Sequence, residues 1–369
     1  MVVLTTIAFL IALLTGVAIV RAQGRAAAMF RYGDDKPQRF HVGHVPRLGG
    51  LALGAGLSGA WLVGALVDGV LVNLNLRLNP INVLLWLLVM MPALLTGLME
   101  DMTQRLPVSL RLLATFGTAV LACWLLGLAV PRLDIDWIDR SLKQWPWLAV
   151  VLAVMAIAGL PHAFNIIDGY NGLAGTVALL ISLALAHVAL QVGDRTLAAL
   201  MMALAGATAG FLIWNYPRGL IFAGDGGAYL WGGVIAVGAI MLVQRNPAVS
   251  PWFPLLLLIY PVWETLFSIY RKAARGVSPG VADALHFHQL IFRRLVRKVF
   301  HDDHARQLLI RNNRTSPYLW GFTALTVLPA VLFWQNSVVL LLFCGLFVVT
   351  YVLAYLAIVR FKVPGWLRR

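Results

Sequence analysis

Eleven apolar runs, each about the length of a membrane-crossing helix, dominate this 369-residue chain and leave few alternatives for its fold. A helix needs about 20 mostly apolar residues to cross the hydrocarbon core of a bilayer. Runs of that kind lie at roughly 2–20, 48–72, 81–99, 108–130, 146–163, 173–191, 196–214, 227–243, 252–270, 318–334 and 337–359. The last two are separated only by the turn signal of Trp334, Gln335, Asn336 and Ser337. Charged residues make up 12% of the chain, where a soluble domain carries about 25%. Mean hydropathy is +0.83. Water would not tolerate that much apolar surface, whereas a bilayer accepts it if the backbone bonds to itself. The expectation is an all-α, polytopic membrane helical bundle of about 11 spans, forming one domain over 1–369. The first run lacks a charged start and a small-residue cleavage site, so it reads as a retained helix and not as a signal peptide. Cys123 and Cys344 lie inside apolar runs and read as packed thiols, with no disulfide and no metal role.

The net charge of +14 suits either nucleic acid or membrane topology. The hydropathy selects the second, and no nucleic-acid partner is expected. Loops between the runs alternate sides. One side takes 21–47, 100–107, 164–172, 215–226, 271–317 and the tail from Arg360, and assigning each Lys and Arg to its nearer side gives that side 23 of the 29. By the positive-inside rule that side is cytoplasmic. The N-terminus then lies outside and the C-terminus inside. Segment 271–317 is the large cytoplasmic loop. Segment 131–145, with Asp134, Asp136 and Asp139, is the largest outer one. No internal repeat is evident.

Chemistry-bearing side chains gather where the runs meet the inner loops. Glu100 and Asp101 end the third run. Asn165, Asp168 and Asn171 end the fifth, at spacings that would put them on one helix face. Asp225 lies between glycines before the eighth, Glu264 lies inside the ninth, and Asp283, His286 and His288 lie in the large loop. Each has a plainer explanation: a solvated helix end, a cap, a glycine turn, a chance pair of histidines. Glu264 is harder to explain away, since an ionisable residue within a span is costly. Their gathering on one face is more telling than any one of them. Carboxylate and amide oxygens are hard ligands suited to Mg²⁺ or Mn²⁺, and Lys36, Arg39, Arg47, Arg111, Arg218, Arg293 and Arg294 lie around them. A divalent metal on carboxylates beside Arg and Lys is an arrangement used in phosphate chemistry.

In order along residues 36 to about 294, these motifs resemble the polyprenyl-phosphate N-acetylhexosamine-1-phosphate transferases. The resemblance is carried by Lys36-Pro37, His44-Val45-Pro46-Arg47-Leu48-Gly49-Gly50, the Gly-x-x-acidic-Asp ending at Asp101, and Ala163-Phe164-Asn165-Ile166-Ile167-Asp168-Gly169. It continues through Gly172-Leu173-Ala174-Gly175, Gly224-Asp225-Gly226-Gly227, and Asp283 with His286-x-His288. One such motif is unspecific, but five in sequence are not. The resemblance implies an enzyme that takes a sugar 1-phosphate from a UDP-N-acetylhexosamine, GlcNAc by default, to undecaprenyl phosphate and releases UMP. It implies Mg²⁺, with Mn²⁺ as a substitute. It implies the bacterial inner membrane with a cytoplasmic active site, at the first lipid-linked step of an envelope glycan such as lipopolysaccharide O-antigen. It assigns Asp225 and Asn165 to the metal, Asp101, Glu100 and Asp168 to catalysis, and Lys36, Arg47, Arg111, Asn171, His286 and His288 to substrate.

The sequence departs from the common pattern in several places. Glu100 precedes Asp101 where Asp-Asp is usual, and Asn171 stands where Asp is frequent. Glu264 replaces Asp, Ala284 stands for Arg, Gln289 for a third His and His162 for Asn. These departures suggest a subfamily with its own geometry or sugar preference. A secondary transporter is the competing reading, but its acidic residues would lie near the midplane on broken helices, and here only Glu264 does. A non-catalytic scaffold would leave the one-sided cluster without a cause. Direct attack by the lipid phosphate is favoured over a covalent enzyme intermediate, and monomer and homodimer both stay open.

Overall fold

A computed structural model describes residues 1–26, 45–67, 78–276, 285–296 and 303–360, and within these the chain is helical with no strand. Lys36, His44 and Asp283 of the sequence motifs lie outside the described residues. In chain order the helices are α1 (Val2–Ala26), α2 (Gly49–Leu66), α3 (Pro80–Thr103), α4 (Val108–Leu126), α5 (Asp136–Gln144), α6 (Pro146–Ile167) and α7 (Leu173–Gln191). They continue with α8 (Arg195–Asn215), α9 (Gly224–Arg245), α10 (Trp252–Leu257), α11 (Ile259–Ala273), α12 (Phe287–Arg294), α13 (His304–Leu332) and α14 (Ser337–Val359). Among the described residues nine helices are long and apolar enough to cross a membrane: α1 to α4, α6 to α9 and α14. The protein is a polytopic membrane helical bundle.

The two other expected spans show why hydropathy blurs there. The run 252–270 is broken at Leu258 into α10 and α11. Pro261 has no N–H to give the Leu257 carbonyl, which leaves the ladder one bond short at the break. The run 318–334 is the second half of α13, which starts at His304 and thus inside the stretch expected to be loop. Its first half is polar in sequence, yet Asn312, Thr315 and Ser316 are buried, so packing and not apolarity fixes it as helix. The short break before α14 is real: Asn336 caps that helix, its side chain accepting the Val339 N–H at 3.1 Å. Between α4 and α6, α5 has Asp136 and Asp139 in its first turn and Lys143 in its last, a charge order that suits the helix dipole.

The core is organised around α9, buried along almost its whole length and packed against α2, α3 and α6. Small residues let these backbones approach, as helix contacts in a bilayer require. A Cβ on Gly97 of α3 would lie 2.6 Å from Gly226 Cα of α9, and one on Gly50 of α2 would lie 2.6 Å from Gly227 N. The alternating course of the chain places the ends of α3 and α6 and the starts of α2, α4 and α9 at one end of the bundle. The candidate site is built there.

Candidate active site

The α3–α9 approach brings two separate acidic motifs into one structure. Asp101, fully buried, accepts the Asp225 N–H through Oδ1 and the Gly226 N–H through Oδ2, each at 2.9 Å. These are unpaired donors of the first turn of α9, so Asp101 caps that helix from a different helix. Gly224 makes the entry possible. Its φ is +70°, and a Cβ there would press on the Asp101 carboxylate and the Arg47 carbonyl. Arg47 Nε adds a contact to Asp101 Oδ1 at 3.4 Å.

Asp225 is held at the point where four elements converge. Its Oδ1 accepts from Asn165 Nδ2 at 2.9 Å and from Arg47 Nη2 at 3.2 Å. Its Oδ2 accepts from Arg111 Nη1 at 2.8 Å and from the Tyr229 hydroxyl at 3.4 Å. Only 3% of Asp225 is exposed. Removing one partner from such a buried charge pair costs on the order of 3–5 kcal/mol. Glu100, one residue before Asp101, turns elsewhere: Oε2 accepts the Leu106 N–H at 2.9 Å, and Oε1 lies 3.9 Å from Arg111 Nη1. The two acidic neighbours therefore face different partners, and Arg111 links Glu100 to Asp225.

Asp168 follows the last residue of α6 and keeps part of its surface accessible. Dense packing around it pushes its carboxyl up to about 7, with Arg47 opposing and Asp225 adding to that shift. Asn171 does not share a helix face with Asn165 and Asp168, because α6 ends at Ile167 and the chain turns before α7. Its side chain donates to Asn313 Oδ1 at 3.0 Å and to the Pro217 carbonyl at 3.3 Å. Its backbone N–H bonds Asn312 Oδ1 at 2.8 Å, and its carbonyl accepts from Ser316 Oγ at 2.6 Å. Trp320 Nε1 donates to the Gly172 carbonyl at 3.0 Å, and the Gly172 N–H bonds Asn215 Oδ1 at 2.6 Å. The polar half of α13 thus clamps the loop that carries Asp168.

His286 and His288 stand just before and within α12, their rings parallel with centroids 5.5 Å apart. His286 Nδ1 lies 3.0 Å from Glu264 Oε1. His288 packs on the Asp168 loop: a Cβ on Gly169 would lie 2.8 Å from its Nε2, and its ring meets that of Tyr170 edge to face at 5.6 Å. Burial, reinforced by His286, lowers the His288 pKa to about 3, so the ring is neutral. Burial likewise raises the Tyr170 hydroxyl above its ordinary value. Gln289 serves α12 itself, its Oε1 accepting the His286 N–H at 3.4 Å. Beside the site, α6, α9, α10 and α11 border an apolar groove of about 340 Å³. It passes Met155, Leu160 and Ala163 of α6, reaching to within two residues of Asn165, with Leu258 and Leu266 on its other wall.

Sequence reasoning missed Tyr229, Asn215, Asn312, Asn313, Ser316 and Trp320. The Asn312-Asn313 pair shortly before the apolar run 318–334 was the one visible signal. As donors for a divalent cation, Asp225, Asp168 and the Asn165 amide oxygen have the hard-oxygen chemistry Mg²⁺ selects. Four carboxyl groups, Glu100, Asp101, Asp168 and Asp225, stand against the two guanidinium groups of Arg47 and Arg111, an acidic excess that suits a divalent cation. No group of three or more His, Cys, Asp or Glu side chains among the described residues is already gathered as a ligand set.

A buried, mixed carboxylate–guanidinium centre thus lies at one end of a polytopic helical bundle. Sequence comparisons point to a class. Residues 83–243 match glycosyl transferase family 4, a stretch that includes Glu100, Asp101, Arg111, Asn165, Asp168, Asn171 and Asp225. The chain is 26% identical over 284 residues to a probable undecaprenyl-phosphate N-acetylglucosaminyl 1-phosphate transferase of Bacillus subtilis, covering 76% of this chain and 75% of the relative. It is 24% identical over 270 residues to the undecaprenyl-phosphate alpha-N-acetylglucosaminyl 1-phosphate transferase of Escherichia coli K12, covering 70% and 69%. Over a shorter stretch of 137 residues it is 33% identical to the phospho-N-acetylmuramoyl-pentapeptide-transferase of Moorella thermoacetica, covering 34% and 42%.

Proposed function

We propose that this chain transfers a sugar 1-phosphate from a UDP-N-acetylhexosamine to undecaprenyl phosphate. An oxygen of the lipid phosphate attacks the phosphorus that bears the sugar. A new P–O bond forms, the bond to the bridging oxygen breaks, and UMP leaves with that electron pair. The products are UMP and an undecaprenyl-diphosphate sugar. GlcNAc is the default sugar. The reaction runs at the cytoplasmic face of a bacterial inner membrane, as the first lipid-linked step of an envelope glycan, with lipopolysaccharide O-antigen one destination.

The observation that carries this reading is Asp225 fixed between Arg47 and Arg111, at 3.2 and 2.8 Å. Two guanidinium groups in a poorly solvated place can bind phosphate oxygens strongly. Bound Mg²⁺ supplies neutralisation of the diphosphate charge, and Asp225, Asp168 and Asn165 would hold it. The chain's own groups do the rest. Asp101 keeps Asp225 and the start of α9 in place. Arg47 and Arg111 orient the anions that meet there, and a lipid phosphate near neutral pH needs no strong base to attack. Asp168, partly accessible and readily protonated, is suited to taking or holding a proton of the lipid phosphate. His286 and His288, beside the Asp168 loop, would serve the donor's sugar or diphosphate, and the apolar groove beside Ala163 suits the first isoprene units of the acceptor.

The test is direct. Purified protein is incubated with Mg²⁺, undecaprenyl phosphate and a panel of UDP-N-acetylhexosamines, and UMP is measured. At least one donor should yield acceptor-dependent UMP. No UMP above a boiled control from any donor would overturn the reading.

A further inference from the structure

We propose that Tyr351, acting through Glu264, is a positioning residue that sets the His286 imidazole for the transfer reaction, so that the last helix forms part of the active site. This rests on the transferase reading above.

Glu264 lies in α11 with 1% exposure, and Tyr351 lies in α14 with none. A carboxylate removed from solvent is costly unless its lone pairs are used. Here both oxygens are engaged. Oε2 accepts the Tyr351 hydroxyl at 2.7 Å. Oε1 accepts the Phe287 N–H at 3.2 Å and lies 3.0 Å from His286 Nδ1. Glu264 therefore directs both of its oxygens at the histidine strand and at α14. A carboxylate against one ring nitrogen fixes the orientation of an imidazole and determines what the other nitrogen can do. The His286 ring in turn lies parallel to that of His288, which rests on the Asp168 loop. Displacing Glu264 would thus shift the stacked pair against that loop.

The same strand has a second anchor from the same two helices. Arg271 of α11 donates to the Leu285 carbonyl at 2.7 Å and to the Tyr355 hydroxyl at 2.9 Å. Tyr351 and Tyr355 are one helical turn apart on α14, so a single face of that helix supports residues 285–287. The choice of Glu at 264 fits this geometry. Its side chain reaches about one methylene, roughly 1 Å, beyond that of Asp, and a misplacement of that order near reacting groups is costly.

The experiment is a double-mutant cycle on UMP release, with thermal stability followed in parallel. Tyr351→Phe should lower kcat about tenfold with KM for the donor changed by less than about twofold. In a His286→Ala background the same substitution should cost nothing further, because the two act through one ring. Glu264→Gln should behave like Tyr351→Phe, and Glu264→Asp should fall between it and the wild type. An equal cost of Tyr351→Phe in both backgrounds, or none in either, overturns the proposal. A second measurement does not depend on turnover. Carbethoxylation of His286, read by mass spectrometry, should be faster in Tyr351→Phe and Glu264→Gln than in the wild type, with His304 unchanged. Equal His286 rates in all three proteins overturn the positioning role. Absence of UMP release from the wild type would instead count against the transferase reading.

Discussion

Asp101 and Asp225 meet in an unequal relationship: the carboxylate of the first binds the backbone of the second, at 2.9 Å from Oδ1. The Asp225 carboxylate stays turned toward Arg47, Arg111 and Asn165. Asp101→Ala removes both bonds to the first turn of α9. The expected loss is about 1–3 kcal/mol of stability, with activity falling as Asp225 loses its fixed position. Thermal unfolding in detergent alongside UMP release checks both effects. An unchanged unfolding midpoint would count against the capping role.

The α3–α9 approach makes Gly97 intolerant of a side chain. A Cβ there would lie 2.6 Å from Gly226 Cα, with backbone and not a flexible side chain in the way. Gly97→Ala should destabilise by about 1–3 kcal/mol, the cost of overpacking, and should also lower turnover by moving Asp101 off α9. Gly117, in α4, has nothing within 4 Å of a built Cβ, so Gly117→Ala is the matched control and should be neutral or slightly stabilising. Equal unfolding midpoints for the two variants would contradict the close packing.

The clamp from α13 predicts an effect far from the reacting groups. Asn312→Ala leaves the buried Asn171 N–H without its partner. A stability loss of about 1–3 kcal/mol is expected, with reduced activity through the Asp168 loop. Limited proteolysis between α6 and α7 should become faster. Unchanged cleavage and turnover would remove α13 from the account.

His288 sets a pH dependence of stability. Its folded pKa is depressed to about 3, through burial first and the neighbouring His286 second, from an ordinary 6.5. Between those values the unfolded chain binds a proton that the folded chain does not. The contribution is complete above the unfolded value and is lost as pH falls toward the folded one. The unfolding midpoint should therefore drop between about pH 7 and pH 5, and His288→Asn should shallow that drop. An identical slope in the variant would contradict the burial of a neutral ring.

Much of this was legible in the sequence, for physical reasons. A bilayer imposes length and apolarity on each span, so hydropathy finds α1 to α4, α6 to α9 and α14. The carboxylates of the site are equally visible, because charge is rare in such a chain. What hydropathy cannot see is packing. Tyr351 and Tyr355 count as ordinary members of an apolar run, and only the fold aims their hydroxyls at Glu264 and Arg271. Asn312 and Ser316 look like loop residues until α13 buries them. Glu100 and Asp101 are neighbours in sequence, but consecutive helical residues point about 100° apart, so their partners differ. Asn171 was placed on a helix face because its spacing fits one, yet the helix ends at Ile167.

The central claim is that Asp225, between Arg47 and Arg111, is the centre of a sugar-phosphate transfer to a polyprenyl phosphate. Its most direct test is UMP release from UDP-GlcNAc and related donors in the presence of Mg²⁺, with and without undecaprenyl phosphate, for the wild type and Asp225→Ala. The account predicts UMP that depends on the lipid acceptor in the wild type. It predicts a fall of about 10³-fold or more in the variant, with the variant still eluting as folded protein. Turnover in Asp225→Ala close to that of the wild type would contradict it.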